Sequence, residues 1–172
     1  MKYLKSDIKQ KQQVLTDEGY LVSMLRTLVS DGTSANVLYR LTSWFIKYKL
    51  VPLALITLWL NRVINGCVIG AGAKFDQGFV IMHPVGVVIN SKVSGGKNII
   101  IESGVVIGDE KGQAPVLGSN IFIGAGAKII GGISIGDNVK IGANAVVVKN
   151  VPNNATAVGI PAKVIQKGEN KC

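Results

Sequence analysis

The chain has few of the residues that build most enzyme active sites. Its 172 residues include one histidine, His83, and two cysteines, Cys67 and Cys172. A histidine-based metal cluster within one chain is therefore excluded, and the cysteines have neither metal-site nor redox spacing. We expect no metal cofactor. The sequence also lacks a Walker-type phosphate loop and a Gly-x-Ser-x-Gly motif.

Acidic residues are scarce relative to basic ones. The chain has 19 Lys and Arg against 10 Asp and Glu, which gives a net charge of +9 spread over both halves. A basic surface can serve nucleic acid, an anionic membrane or a phosphorylated ligand, and it can equally be a solvated lysine-rich face. Because no nucleic-acid motif and no interleaving of aromatic with basic residues is present, we expect no nucleic-acid partner.

Long apolar runs are missing as well. The longest such segment, Leu50 to Leu60, has 11 residues and contains Pro52 and Thr57, whereas a spanning helix needs about 20. Residues 1–13 are polar and basic and have no signal-peptide pattern. These features predict a cytoplasmic protein, and they leave open a peripheral position at the inner face of the membrane.

A six-residue repeat runs from Ile69 to Val147. When every sixth residue is marked, thirteen of fourteen positions are large and apolar, with Lys111 as the exception. A helix cannot produce this period, but short strands with a bend every six residues can. Three such strands form a triangular coil of about 18 residues, and stacked coils bury the marked side chains. The repeat therefore predicts a mainly β protein, a β-helix. The charged stretch 109–117 around Lys111 is predicted to be a loop that leaves the coil.

Residues 1–66 lack the repeat and have helical spacing instead. Apolar residues from Tyr20 to Leu28 recur at intervals of three and four, Asp31 and Gly32 end that helix, and Ser34 is a candidate cap for the next. We predict three parts: an N-terminal helical leader at 1–66, a β-helix domain at 67–166 and a polar tail at 167–172.

The role of the helical leader has two interpretations. Its apolar helices can cap the first coil, whose strand edges would otherwise be exposed, or pack against sister subunits. Alternatively, residues 35–66 can lie in a membrane interface, with Trp44, Trp59 and nearby basic residues at headgroup level. The first interpretation is favoured, because an uncapped coil is an aggregation hazard.

His83 is the candidate catalytic residue. It follows the inward position Ile81 by two residues, so strand alternation places it near a bend or on the outside. Imidazole titrates near neutral pH and can take a proton from a hydroxyl, which can then attack a thioester. A lone histidine is more often structural, and its carboxylate partner cannot be identified from the sequence.

The repeat resembles that of the hexapeptide-repeat acyltransferases, which have a left-handed parallel β-helix. Residues 78–90, which include Met82-His83-Pro84, and residues 123–143, followed by Gly159-Ile-Pro-Ala-Lys163, resemble segments of the serine acetyltransferase branch. The resemblance implies an acetyl-CoA-dependent O-acetyltransferase and a homotrimer with active sites between subunits. It maps the catalytic base onto His83. It also maps coenzyme contacts onto positions near Gly108, Ala125, Ala143 and Lys163, with Lys128 or Lys149 as further candidates for the phosphates.

Departures from that branch concern the acceptor. The serine enzymes carry an aspartate directly before the catalytic histidine, where this chain has Met82, and another about fifteen residues earlier, where it has Val68. They carry Arg-His before a loop proline, where this chain has Gln113 and Ala114. A free amino acid needs a carboxylate for its ammonium and a cation for its carboxylate. The departures therefore predict that serine is not the acceptor.

A likeness to exopolysaccharide O-acetyltransferases of the colanic acid type rests on the leader and on the segment from His83 to Asn90. It implies a sugar hydroxyl in glycan biosynthesis as acceptor, carried on a nucleotide, a lipid or a polymer. The sequence thus predicts a glycan O-acetyltransferase with His83 as general base. Serine O-acetyltransfer in cysteine biosynthesis is the alternative activity, and a non-catalytic β-helix scaffold is the alternative from another class.

Overall fold

The computed structural model of this chain describes residues 3–17, 19 and 23–166. Within them, helices come first and a column of short strands follows. Two residues of the predicted helical face, Tyr20 and Leu21, and the predicted tail at 167–172 lie outside the described residues. The helices are α1 (Leu4–Asp17), α2 (Met24–Val29), α3 (Thr33–Lys47) and α4 (Val51–Asn65).

The helix boundaries differ from the expected ones at two points. Helix α1 occupies a segment for which the sequence predicted no element. The prediction that Ser34 caps α3 was wrong: Gly32 is the N-cap residue, and the Ser34 hydroxyl donates a hydrogen bond of 2.6 Å to Oδ1 of Asn65 instead. Gly32 takes a left-handed conformation with φ of 76°, which glycine adopts without strain.

Fifteen short strands form three sheets that are parallel except for the last pair, β14 and β15. The first sheet contains β1 (Val68–Ile69), β4 (Val88–Ile89), β7 (Val106–Gly108), β10 (Lys128–Ile130) and β13 (Val146–Val147). The second contains β2 (Lys74–Phe75), β5 (Ser94–Gly95), β8 (Val116–Leu117) and β11 (Ser134–Ile135). The third contains β3 (Phe79–Ile81), β6 (Ile99–Ile101), β9 (Ile121–Ile123), β12 (Lys140–Ile141), β14 (Ala155–Val158) and β15 (Lys163–Gln166).

From β1 to β10, each strand pairs with the strand three places further along the chain, as a three-sided coil requires, and β12 then pairs with β14. Ile69 lies beside Ile89 in the first sheet, and Ile81 lies beside Ile101 in the third. All thirteen apolar marked positions are buried, and Lys111 is exposed. The predicted parallel β-helix with N-terminal helices is confirmed.

The coils are less regular than the six-residue spacing suggests. Two extra residues lie between β3 and β4, because Ile69 pairs with Ile89 rather than with Val87. Four more lie between β7 and β8, because Gly95 pairs with Leu117. Between the two insertions, the marked residues at 87, 93, 99 and 105 lie two residues before the inward positions that pair in register, which are 89, 95, 101 and 107. The insertions together amount to one repeat, so the spacing is in phase again afterwards.

The helices close the open end of the first coil through buried polar side chains. Asn36 donates to the carbonyl of Phe79 at 2.6 Å and accepts from the amide of Ile81 at 2.9 Å. The Tyr39 hydroxyl bonds the backbone of Ala73 and Phe75 on the neighbouring side of the coil. These side chains take the place of a further strand, so the first coil has a hydrogen-bonded cap.

An ion pair completes this cap. The guanidinium of Arg40 donates from Nε to Asp7 at 2.7 Å, and also to the carbonyls of Phe75 and Asp76. Asp7 in turn accepts the backbone amides of Gly78 and Phe79 at 2.8 and 3.1 Å. Because each charge is hydrogen-bonded several times, the pair can be buried.

Candidate active site

His83 lies on the corner that joins β3 to β4, where the two extra residues widen the turn. Pro84 beside it is buried, whereas the His83 side chain is 58% exposed. The amide of Met82 donates to the carbonyl of Ile101 at 2.9 Å, and the amide of Gly86 donates to Gly66 at 3.0 Å. Both ends of the corner are thereby fixed, and the imidazole points away from the coil axis.

A carboxylate lies beside this imidazole. Nδ1 of His83 is 2.9 Å from Oδ2 of Asp31, in the loop between α2 and α3. An ionised carboxylate accepts a hydrogen bond, so it holds the imidazole proton at Nδ1 and leaves the lone pair at Nε2. The geometry is that of a general base with an orienting partner.

The loop that carries Asp31 is fastened to the coil by Gly32. A Cβ atom at Gly32 would overlap the carbonyl oxygen of Ile81 and would lie 2.8 Å from that of Met82. Only glycine allows the backbone of this loop to approach the end of β3 so closely. This close approach brings Asp31 within reach of His83.

Lys11 of α1 connects the same two backbone segments. Its buried ammonium donates to the carbonyl of Asp31 and, at 3.0 Å, to that of Ile81. Burial lowers the pKa of Lys11 to about 8, although the negative charges of Asp31 and Glu102 act to raise it. An ammonium under the loop therefore holds it in place and carries positive charge next to the Asp31–His83 pair.

Sequence reasoning missed both Asp31 and Lys11. Asp31 is 52 residues from His83 along the chain, and in the sequence it looks like the end of a helix. The carboxylates considered as partners of His83 were those of the repeat region, such as Asp76, and Asp76 is not the partner. The close approach of Gly32 to β3 has no signal in the sequence beyond the glycine itself.

The residues predicted to contact the coenzyme fall on two edges of the coil. Ala125 and Ala143 lie on the corners after β9 and β12, in one column with the corner of His83. Hydrogen bonds connect this column from corner to corner, from Gly104 to Val85, from Gly126 to Ser103 and from Asn144 to Ala125. Lys163 follows the turn at 159–162, beyond the corner of Ala143, and its side chain is exposed. Gly108 ends β7 and lies at the opposite edge of the first sheet.

Glycine occupies one position on each of the first three corners of this column. Gly86, Gly104 and Gly126 occupy equivalent left-handed positions, with φ of 75°, 66° and 72°. Adjacent rungs of a parallel sheet are about 4.8 Å apart, so the column runs about 14 Å from the corner of His83 to that of Ala143. Lys128 donates to the carbonyls of Gly104 and Gly126 at 2.8 and 2.9 Å, so its ammonium is already bound to this backbone. Among the described residues there is no cluster of three or more potential metal ligands.

Three comparisons identify proteins similar to this chain. Residues 114–149 match the bacterial transferase hexapeptide (six repeats) family. A serine acetyltransferase from Helicobacter pylori is 42% identical over 144 residues, which cover 81% of this chain and 84% of the relative. One from Synechococcus elongatus is 39% identical over 140 residues, but the match spans only 57% of that relative. A solved serine acetyltransferase in complex with CoA has a TM-score of 0.86 at 31% identity and covers 94% of this chain and 68% of its own.

These comparisons confirm two predictions and correct a third. The predicted hexapeptide-repeat O-acetyltransferase and the predicted use of acetyl-CoA are both confirmed. The predicted glycan O-acetyltransferase was wrong, because the relatives are serine acetyltransferases at up to 42% identity. The error arose from treating Met82, Val68 and the residues before Pro115 as decisive, although another part of the chain supplies a carboxylate beside His83.

Proposed function

We propose that this chain, which belongs to the serine acetyltransferase family, transfers the acetyl group of acetyl-CoA to the hydroxyl of L-serine. The observation that carries the proposal is the Asp31–His83 pair on the outer corner of the first coil. A base held by a carboxylate and accessible to solvent suits the activation of a small alcohol.

The reaction needs one proton to move twice. Nε2 of His83 removes the proton of the serine hydroxyl as the oxygen attacks the thioester carbonyl, while Asp31 stabilises the imidazolium that forms. The tetrahedral intermediate then collapses, the carbon–sulfur bond breaks, and the imidazolium returns the proton to the departing thiolate of CoA. The products are O-acetylserine and CoA, and His83 regains its starting protonation state.

Asp31 also offers a group for the ammonium of serine. It binds His83 through Oδ2, and the side chain is 61% exposed, so Oδ1 can accept a hydrogen bond from the acceptor. A carboxylate from the helical cap thus compensates for the aspartates that Met82 and Val68 replace. This removes the main objection to serine as the acceptor.

The carboxylate of serine needs a cation from elsewhere. The loop 109–115 lies between β7 and β8, on a different edge of the coil from His83, so it can meet His83 only from a neighbouring protomer. Lys111 is exposed at the turn of this loop, and we assign it the carboxylate of serine. The proposal therefore includes a homotrimer with its active sites between subunits.

Exposed apolar residues on all three sheets support this assembly. Val88 is on the first sheet, Val116 on the second and Phe122 on the third, each with its side chain on the outside of the coil. Outward positions of a coil surrounded only by water are mostly polar, so these residues favour contact with neighbouring copies.

The column of corners above His83 is the proposed path of the coenzyme. Ala125 and Ala143 let an extended pantetheine arm approach the backbone, and Lys163 is placed beyond them for the phosphates. Gly108 belongs to this groove only if the neighbouring protomer contributes it, because it lies on the other edge of the first sheet. The donor then approaches His83 from above, and the acceptor approaches from the side of Asp31.

The test is an acceptor comparison with the purified protein. CoA release from acetyl-CoA is measured with L-serine, with L-homoserine and with monosaccharides and nucleotide sugars at equal concentrations. We expect turnover with L-serine to exceed that with every sugar, and Lys111→Ala to raise KM for serine more than it lowers kcat. Turnover restricted to sugars would refute the proposal. An unchanged KM in Lys111→Ala would refute the assignment of that lysine alone.

A further inference from the structure

Helix α4 has the opposite polarity to an ordinary surface helix. Its buried residues are Ala54, Thr57, Asn61 and Asn65, which recur at intervals of three and four. The Thr57 hydroxyl lies 2.7 Å from that of Thr42, Asn61 donates to the carbonyl of Ala35, and Asn65 donates to Asn61 at 2.9 Å. The contact between α3 and α4 is therefore made by small and polar groups, and the large apolar side chains of α4 lie elsewhere.

Those side chains form the outer face of the helix. Large apolar residues occupy nearly every exposed position of α4, namely Val51, Leu53, Leu55, Ile56, Trp59, Val63 and Ile64. A helix that places polar groups inside and apolar groups outside is stable only if something apolar covers the outer face.

The turn between α3 and α4 indicates which kind of partner covers the apolar face of α4. All eight residues from Ile46 to Leu53 are exposed, and Lys47 and Lys49 alternate there with apolar residues. Trp44 at the end of α3 packs against Tyr48 with ring centroids 4.9 Å apart and the ring planes tilted by 53°. A flat protein partner would cover one side of such a tip, whereas lipid surrounds an inserted segment. Aromatic and basic residues are the side chains that interfacial segments favour.

The charge of this region also favours a lipid partner. No acidic residue occurs between Asp31 and Asp76, and Lys47, Lys49 and Arg62 are exposed on the hairpin. Arg62 is three residues from Trp59, so it lies at the border of the apolar face. A surface with several cations and no acid is attracted to anionic phospholipid and repels a second copy of itself.

A cleft of about 430 Å³ opens beside the tip. Trp44, Lys47, Tyr48 and Lys74 are among its lining residues. Its aromatic walls and two ammonium groups, with Asp76 as the single acidic lining residue, suit an anionic headgroup.

We propose that the α3–α4 hairpin docks this protein on an anionic phospholipid membrane, with the tip 46–53 and the outer face of α4 in the interface. This proposal goes beyond serine acetylation and does not rest on it. Helix α4 has 15 residues and is about 22 Å long, which is shorter than the roughly 30 Å hydrocarbon core. None of the described helices meets the length and hydropathy needed to cross a bilayer, so the docking is peripheral and in the membrane plane.

The experiment is vesicle flotation with the full chain. Vesicles of phosphatidylcholine alone are compared with vesicles that also contain phosphatidylglycerol. We expect strong binding to the anionic vesicles only, with a blue shift of tryptophan emission. Both tryptophans of the chain, Trp44 and Trp59, lie on the hairpin. Lys47→Gln and Lys49→Gln should each weaken binding by about fivefold.

A matched pair of variants tests the apolar face. Ile56 and Ile165 are both 52% exposed, but Ile165 is on the last strand, β15. Ile56→Glu should reduce vesicle binding by about tenfold or more, and Ile165→Glu should leave it unchanged. If Ile56→Glu does not fold, the lysine variants in the exposed tip carry the test.

Two outcomes would overturn the proposal. One is equal recovery of the protein with anionic and with zwitterionic vesicles. The other is a wild-type protein that does not float while Ile56→Glu lowers the mass found by analytical ultracentrifugation, which would show that a second copy covers the face. The docking proposal requires the same mass for wild type and Ile56→Glu.

Discussion

The two parts of this molecule bury opposite kinds of side chain. Inside the coil, Ile99, Ile101 and Ile123 have no exposed surface, and the inward positions are almost all apolar. Under the helices, the buried residues include Asp7, Lys11, Asn36 and Arg40. The coil is stabilised by the burial and close packing of apolar side chains. The end of a parallel coil presents unpaired amides and carbonyls, and apolar side chains cannot satisfy these groups. The cap is therefore built from hydrogen-bonding side chains aimed at that backbone.

The strongest test of this contrast is removal of a single charge from the cap. Asp7→Ala leaves Arg40 buried without its partner and deprives the amides of Gly78 and Phe79 of an acceptor. We expect a loss of about 3–5 kcal/mol in the free energy of unfolding, measured by urea denaturation at fixed protein concentration. Asp17→Ala is the control, because Asp17 is exposed at the end of the same helix. Equal stabilities of the two variants would mean that the polar contacts do not hold the cap.

The corresponding change in the coil removes volume instead of charge. Ile123→Ala opens a cavity in a fully buried position and should cost about 2–5 kcal/mol by the same measurement. Ile165→Ala, on an exposed position of β15, should stay within about 0.5 kcal/mol of wild type. A small effect at Ile123 would contradict the view that burial stabilises the coil.

The contact between cap and coil can be disturbed without removing any polar group. Gly32→Ala places a Cβ against the carbonyls of Ile81 and Met82, so the loop must shift and Asp31 moves away from His83. A misplacement of about 1 Å can cost about 100-fold in rate, and we expect a fall in kcat between 10- and 100-fold. Gly19→Ala is the matched control: its φ is also positive, at 90°, but no atom lies within 4 Å. If both variants retain wild-type kcat, the approach of Gly32 does not position the site.

The smallest expected effect is a pH dependence that comes from the cap. The pKa of Lys11 is about 8 in the folded protein and 10.5 without burial. Between these values the unfolded chain binds more protons, so the stability of the folded protein rises with pH. We expect the free energy of unfolding to increase by about 1 kcal/mol from pH 8 to pH 9, relative to Lys11→Met. If the difference in the free energy of unfolding between wild type and Lys11→Met does not change with pH, Lys11 has an ordinary pKa.

The coil could be predicted from the sequence because its rule is local. One inward position in every six residues suffices, and each strand repeats the signal. The insertion at His83 was invisible to that rule. The loop at 109–117 was predicted from its charge and from Lys111, but the number of residues it adds was not, because two and four residues together restore the spacing.

The cap and the site could not be predicted in the same way. Asp7, Lys11 and Asn36 look like surface residues in the sequence, and only the unpaired backbone of the first coil explains their burial. Asp31 reaches His83 through the packing of a helical loop on a strand end, which no residue spacing encodes. The orientation of α4 was also hidden, because an almost wholly apolar segment does not show which face packs inward.

The central claim is that Asp31 of the cap and His83 of the coil act together as one catalytic pair. A double-mutant cycle tests this claim most directly. Acetyl transfer to L-serine is measured for His83→Ala, Asp31→Asn and the double variant. We expect kcat to fall by about 100- to 10,000-fold in His83→Ala and by about 10- to 100-fold in Asp31→Asn. The kcat of the double variant should be no lower than that of His83→Ala alone, because the effect of Asp31 on the imidazole is lost with the imidazole, whereas its contact with the ammonium of serine is measured in KM. Losses that multiply in the double variant would show that Asp31 and His83 act independently and would contradict the claim.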